Sequence, residues 1–311
     1  MSSDGNVVVI TGAGQGLGRA YALALARHGF RLVVNDIRRE AADAVVAEIR
    51  AAGGTAAASG DDVSDWDAAA CLVAAAVDTY GRLDLLVNNA GILRDRPFVD
   101  MTAQEWDDTI RVHLRGAFCP SKHAVRHWLS RADAGERVDG RILNTTSPSG
   151  LYATIDQAHY GAAKAGVAAF TLILAQEVAS QGIAVNAIAP TALTAMTDHR
   201  AGYLARVAEV ERRTGWNPGS TDNVAALVVW LASPRAHGVT GRVFNIRGGH
   251  VSLAENWTIG PSASREGDWD VETIDATLPD LLAETRALHN VYGERKEIRL
   301  AHADRGAPAL P

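Results

Sequence analysis

Residues 7–20 read VVVITGAGQGLGRA. The opening VVVI suits a strand buried on both faces. Glycines at 12, 14, 16 and 18 end that run, and a helical pattern follows over 17–29. A Gly-rich turn between a strand and a helix leaves free N–H groups at the helix N-terminus, where the macrodipole favours an anion. Gly12, Gly16 and Gly18 let the backbone turn tightly and approach a pyrophosphate. The spacing is T-G-x-x-x-G-x-G, because Leu17 and Arg19 stand where G-x-G-x-x-G would need glycine. A Gly-rich turn alone is weak evidence. Its place at the head of a βαβ pattern makes it strong.

That pattern runs outward from the turn. Strand-like runs lie at 6–10, 31–36, 55–60, 83–88, 140–146, 183–189 and 241–246. Helical patterns lie near 39–52, 65–80, 102–131, 157–181 and 221–232. The alternation predicts an α/β fold: a Rossmann-type, doubly wound parallel sheet of about seven strands with helices on both faces. We assign 1–250 to this domain. Residues 251–311 form a C-terminal extension with a helix near 279–292, packed on the same domain or on a partner subunit. The long excursion 190–220 follows a strand, where a substrate lid would sit. Trp257 and Trp269 lead to two open expectations for the extension: a wall of a deep substrate pocket, or a clasp on a neighbouring subunit.

Bulk properties exclude several classes. A net charge of −6 with no basic run argues against nucleic acid or an anionic membrane as partner. Cys71 and Cys119 are far apart and suggest neither a metal pair nor a disulfide framework. The first residues lack a signal-peptide pattern and no apolar run reads as a bilayer span, so a cytoplasmic location is expected. His123 and His127 share a helix face at metal-ligand spacing but lack an apparent third ligand, and no metal is expected.

Asp36 closes the second strand 24 residues after Gly12. A carboxylate there can accept from both ribose hydroxyls of an adenosine and would repel a 2′-phosphate, which favours NAD over NADP. Arg38 and Arg39 could reach a phosphate instead, and a helix cap is the plain alternative for Asp36. Tyr160 and Lys164 stand one helical turn apart in QAHYGAAKAG, in a chain with only three lysines, so both project from one helix face. A neighbouring ammonium would lower the pKa of the tyrosine and let it act as a base.

TGAGQGLG, Asp62-Val63, NNAG at 88–91, Ser147 and Tyr160-x-x-x-Lys164 fall in order and each at a strand end. Together they resemble the short-chain dehydrogenase/reductase family over about residues 6–250. NNAGILRDRPF, RVHLRGAF and SPSGLYATIDQAHYGAAKAG are similar to the (3R)-hydroxyacyl-CoA dehydrogenase subgroup found in peroxisomal multifunctional enzyme type 2. The resemblance implies an NAD-dependent oxidoreductase interconverting a secondary alcohol and a ketone. A 3-hydroxyacyl-CoA is the leading substrate, in which a steroid side chain is one option. It implies Ser147, Tyr160 and Lys164 as catalytic, with Lys164 also donating to the nicotinamide ribose. It implies cofactor contacts from Gly12, Gln15, Gly16, Leu17, Gly18, Asp36, Asp62, Val63, Asn88, Ala90, Gly91, Pro190 and Thr194. Ser149 is the lesser rival to Ser147.

His113 replaces the asparagine that most members carry, and the subgroup reads RVHLRG too. Its imidazole could hold a water, relay a proton, or simply be a buried structural histidine. Arg94-Asp95-Arg96 is either a substrate contact or a set of solvated ion pairs. Rival activities are a hydroxysteroid or other lipophilic alcohol dehydrogenase and a 3-oxoacyl-carrier-protein reductase. A catalytically silent nucleotide sensor is the rival from another class. The resemblance further implies a homodimer or homotetramer. Ala162, Ala163, Ala165, Ala168 and Ala169 would permit close helix contact between subunits.

Overall fold

The computed structural model describes residues 5–197, 201–255, 257–296 and 298. The chain divides into two compact units, Met1–Ala254 and Glu255–Pro311. The first holds one sheet in the order β3-β2-β1-β4-β5-β6-β7-β8. Its strands are β1 (Val7–Ile10), β2 (Arg31–Asn35), β3 (Thr55–Ser59), β4 (Leu85–Asn88), β5 (Gly140–Thr145), β6 (Ile183–Thr191), β7 (Val243–Arg247) and β8 (His250–Ala254). Pairing is parallel through β7 and antiparallel between β7 and β8. The sheet therefore has one strand more than expected. β8 reads HVSLA, with Val251 and Leu253 exposed, so it lacks the two-sided apolar signature of the other strands.

Alternate residues of β1 serve different layers. Val8 and Ile10 pack with Leu25 of α1 (Gly16–Arg27), Val45 and Ile49 of α2 (Arg39–Ala51) and Val228 of α9 (Asp222–Ala232). Val7 and Val9 face Leu72 of α3 (Trp66–Tyr80), Trp128 of α5 (Gly116–Asp133) and Ala175 of α7 (Ala158–Val178). Period-two alternation across a doubly covered sheet explains why VVVI has no polar member.

The expected single helix over 102–131 is broken into α4 (Ala103–Ile110), a π turn at Arg111–Arg115, and α5. A capping box starts α4, with Thr102 and Glu105 bonding reciprocally. Pro120 then removes the N–H that would close on residue 116, so the ladder is already interrupted just past the π turn. Two further helices, α6 (Pro148–Tyr152) and α8 (Ala201–Thr214), lie after β5 and inside the 190–220 excursion.

The stretch Ala158–Gln181 is long and apolar enough to cross a membrane by length and composition, at mean hydropathy 1.3. This corrects the expectation of no such run. It carries the buried Lys164, and its face of Ala163, Val167, Ala168, Thr171 and Ala175 is buried, as in a core helix of a doubly wound sheet. In the second unit the helix α10 is Val271–Ala283, earlier than the expected 279–292. Asp270 caps it by accepting the Thr273 N–H at 2.8 Å, and Pro279 lies inside it rather than at its start.

Candidate active site

Strand order reverses between β1 and β4, and Thr11 stitches the two strand ends together. Its N–H donates to the Val87 carbonyl at 3.0 Å. Its Oγ1 accepts the N–H groups of Asn89 and Ala90 at 2.9 and 3.0 Å. Asn89 Nδ2 donates to the carbonyls of Thr11 and Gly12 at 3.0 and 3.1 Å. Thr11 and Asn89 are functional scaffolding that sequence reasoning passed over in favour of Gly12 and Asn88. Asn88 itself turns inward, donating through Nδ2 to Ser121 Oγ and Asn144 Oδ1, both at 2.8 Å. A nucleotide contact from Asn88 would have to come through its main chain.

The glycines have distinct reasons. Gly12 adopts φ +60°, and a Cβ there would lie 2.7 Å from Ala90 Cα. A Cβ on Gly18 would run into the Gly12 carbonyl oxygen. Gly14, given no separate role from sequence, donates its N–H to Asp36 Oδ2 at 3.1 Å, and a Cβ would sit 2.7 Å from that oxygen. Gln15 is the N-cap residue of α1, yet offers no side-chain cap, and the first turn has no acidic residue. The leading N–H groups are thus left open to an anion. Leu17 is half-buried and packs against the core. Gly16 faces the Thr194 methyl, which a Cβ would meet at 3.5 Å. Pro190 lies in β6, paired with Ile246.

Asp36 is 6% exposed at the end of β2. Its Oδ1 accepts the Arg38 N–H at 3.0 Å, with Arg38 Nε at 3.6 Å. The cap position of α2 falls on Arg38, and Arg39 is engaged with Asp43 along the helix. Asp62 follows β3. Burial pushes its carboxyl up, but hydrogen bonds from Ser64 and the Arg111 guanidinium outweigh this and hold it below the ordinary value. Val63 is buried in the core against Gly116.

The end of β5 delivers Ser147 as N-cap of α6, its Oγ accepting the Ser149 N–H at 3.1 Å. The Ser149 hydroxyl is committed to Gln157 Oε1 at 2.6 Å. Thr146 Oγ1 donates to the Lys164 carbonyl and Lys164 Nζ to the Thr145 carbonyl, both at 2.6 Å, so β5 and α7 are tied beside the site. Lys164 is 4% exposed, and burial lowers its pKa to about 7. Its Nζ lies 5.7 Å from the centroid of the half-buried Tyr160 ring. A phenolate forming there would be favoured by the nearby ammonium. The loop before α7 holds Ala153 at φ +54° and Asp156 at φ +65°. Such backbone costs about 1–3 kcal/mol per residue and clusters at functional sites.

His113 stands in the π turn, edge-on to Tyr160 with ring centroids 5.1 Å apart. Its Nε2 lies 2.7 Å from the Ile92 carbonyl oxygen, and Nδ1 is buried without a partner in the structure. Burial, then the Lys164 charge, hold its pKa well below the ordinary range, so the ring is neutral. A Cβ on Gly91 would collide with this imidazole. His113 thus pins the loop after β4.

Arg94 and Arg96 pair with Asp108 and Glu105 at 3.5 and 3.0 Å, whereas Asp95 accepts from Gln157 Nε2 at 2.6 Å. His123 is turned to Trp66, its Nε2 3.0 Å from that carbonyl oxygen. Among the described residues no group of three His, Cys, Asp or Glu could hold a metal.

A dinucleotide fits this arrangement. The glycine turn is a cradle that added Cβ atoms would fill, the N-terminus of α1 is uncapped by side chains, and Asp36 stands a strand end away. Residues 6–204 match the short chain dehydrogenase family model. The chain is 44% identical over 288 residues to the hydroxyacyl-CoA dehydrogenase ChsB1 of Mycobacterium tuberculosis, covering 90% of this chain and 89% of that protein. It is 47% identical over 204 residues to mouse peroxisomal multifunctional enzyme type 2, covering 63% of this chain but only 26% of that longer protein. A 3-oxoacyl-[acyl-carrier-protein] reductase of Synechocystis is 40% identical over 249 residues, with 79% and 96% covered. The crystal structure of a short chain dehydrogenase from Mycobacterium avium superposes with a TM-score of 0.83 at 44% identity, covering 94% of this chain and all of that one. The chain belongs to the short-chain dehydrogenase/reductase family and is an oxidoreductase acting on CH–OH groups.

Proposed function

We propose that the chain oxidises the 3-hydroxyl of a 3-hydroxyacyl-CoA with NAD. Asp36 carries the cofactor choice: a carboxylate fastened to Gly14 and Arg38 main-chain N–H groups is held where a 2′-phosphate would be repelled. The thioester class rests on the likeness to ChsB1 across nearly its whole length. When bound, the nicotinamide accepts a hydride from the carbinol carbon.

The residues of this chain do the remainder. Tyr160 takes the hydroxyl proton, and Ser147 donates a hydrogen bond to the reacting oxygen as negative charge develops. Lys164 supplies a charge within reach of the Tyr160 ring that favours the phenolate. His113 holds the Ile92 loop and keeps a neutral edge against the tyrosine.

Reduction of 3-oxoacyl-carrier-protein with NADPH is the reading that the Synechocystis relative favours and Asp36 opposes. For assembly we propose a homo-oligomer. On α7, Ala163 and Ala168 face inward, while Ala162, Ala165 and Ala169 lie outward beside the exposed Ile173. A cytoplasmic location is proposed on two free cysteines, one exposed and one buried.

Initial rates with NAD and NADP decide the activity. The substrates are 3-hydroxyacyl-CoAs from short acyl to steroid side-chain thioesters, with 3-oxoacyl-carrier-protein as the rival. NAD-linked turnover of a thioester is expected. A preference for NADPH and carrier protein would replace this reading with the reductase.

A further inference from the structure

Ser147 and Tyr160 flank a loop whose buried side chain has no part in the chemistry described above. Gln157 is 1% exposed at the N-cap position of α7, but makes no capping bond there. Both ends of its amide are used elsewhere. Oε1 accepts from Ser149 Oγ and Nε2 donates to Asp95 Oδ1, each at 2.6 Å. Ser149 donates its main-chain N–H to Ser147 Oγ. Side-chain bonds tie Asp95 to Gln157 and Gln157 to Ser149, whose main-chain N–H then reaches Ser147 Oγ. This chain of contacts joins the loop after β4 to the end of β5 and the start of α7. A parallel tie runs from the Arg96 N–H to the Asp156 carbonyl at 2.8 Å. The segment so clamped contains Ala153 and Asp156, the two non-glycine residues with positive φ among the described residues.

The polarity of the chain has a chemical consequence. A carboxylate only accepts, so Gln157 must present its NH2 to Asp95 and its carbonyl to Ser149. The Ser149 hydroxyl proton is then committed to Gln157. Ser147 Oγ already accepts the Ser149 N–H and keeps its own O–H to donate. We propose that Asp95 and Gln157 are positioning residues that hold Ser147 as a donor toward the reacting oxygen. The proposal rests on CH–OH chemistry at Ser147, and not on the identity of the thioester.

Three variants of nearly equal shape test it in the full-length enzyme, each with a 3-hydroxyacyl-CoA and with a panel of simple secondary alcohols. Gln157→Glu sets a second acceptor against Asp95 and should lower kcat about 10–100-fold, with KM and the NAD dissociation constant within about twofold. Asp95→Asn alone should change little, because its amide can still turn an oxygen to Gln157. Adding Asp95→Asn to Gln157→Glu restores a donor facing an acceptor at that joint and keeps an oxygen toward Ser149. The double variant should regain kcat to within about fivefold of wild type. A packing role would not produce that rescue. The proposal is overturned if Gln157→Glu keeps its kcat, if the double variant is no better than the single, or if the loss lies in NAD affinity. Should Gln157→Glu not fold, Asp95→Ala removes the acceptor from an exposed position and must lower kcat at constant KM; unchanged kcat would sink the idea. Wild-type turnover of the simple alcohols alone would defeat the thioester reading while these comparisons still stand.

Discussion

Replacing Lys164 by Met should stabilise the unliganded protein at low pH. Burial lowers the Lys164 pKa from 10.5 to about 7. At 1.36 kcal/mol per pKa unit, the charged form is disfavoured by about 5 kcal/mol relative to the unfolded chain. Losing the bond from Nζ to the Thr145 carbonyl returns about 1.5–3 kcal/mol, so the variant should gain about 2–3 kcal/mol below pH 7. The sign then changes with pH. Between the folded pKa near 7 and the unfolded value near 10.5, the unfolded chain binds the extra proton, so wild-type stability rises. From pH 6 to pH 9 the gap should close by about 3 kcal/mol, leaving the two proteins near parity. Urea unfolding of both proteins at pH 6, 7, 8 and 9 reads the difference and cancels the titrating groups that Lys164 does not influence. A gap that does not vary with pH would refute the burial argument, as would a variant less stable at pH 6. The variant should also be inactive, the usual relation between a strained site and its function.

Two other outcomes follow from the same geometry. Asp36→Ala should lower the NAD/NADP ratio of kcat/KM by at least about tenfold, because the ribose acceptor and the opposing charge go together; parity of the two cofactors in wild type would remove its basis. Ala153→Gly should raise stability by about 1 kcal/mol in urea, since glycine adopts φ +54°, ψ 145° without the cost of a Cβ; a loss of stability would show that the backbone there is not strained.

The strands from β1 to β7 were legible because each is apolar on one or both faces, and the motif glycines because they interrupt such runs. β8 was not, since its side chains alternate between half-buried and exposed at an edge. The inward turn of Asn88 follows from strand parity: it shares a face with Leu86, which packs toward α5 and α7. The π turn around His113 leaves no periodic trace, because one shifted hydrogen bond alters no residue type. α10 begins before the expected 279–292 because its capping residues Asp270 and Thr273 lie nine and six positions ahead of Pro279, which the helix accommodates. Gln157 was invisible as a site residue, since its role depends on partners 62 and 8 residues away.

The central claim is that Tyr160 accepts the proton of the substrate hydroxyl, and Tyr160→Phe tests it most directly. The substitution removes one oxygen and leaves the ring against His113 and Lys164. Pre-steady-state hydride transfer to NAD should slow by about 10²–10⁴-fold, with the NAD dissociation constant within about twofold of wild type. Near-normal transfer in the variant would contradict the account and require another base.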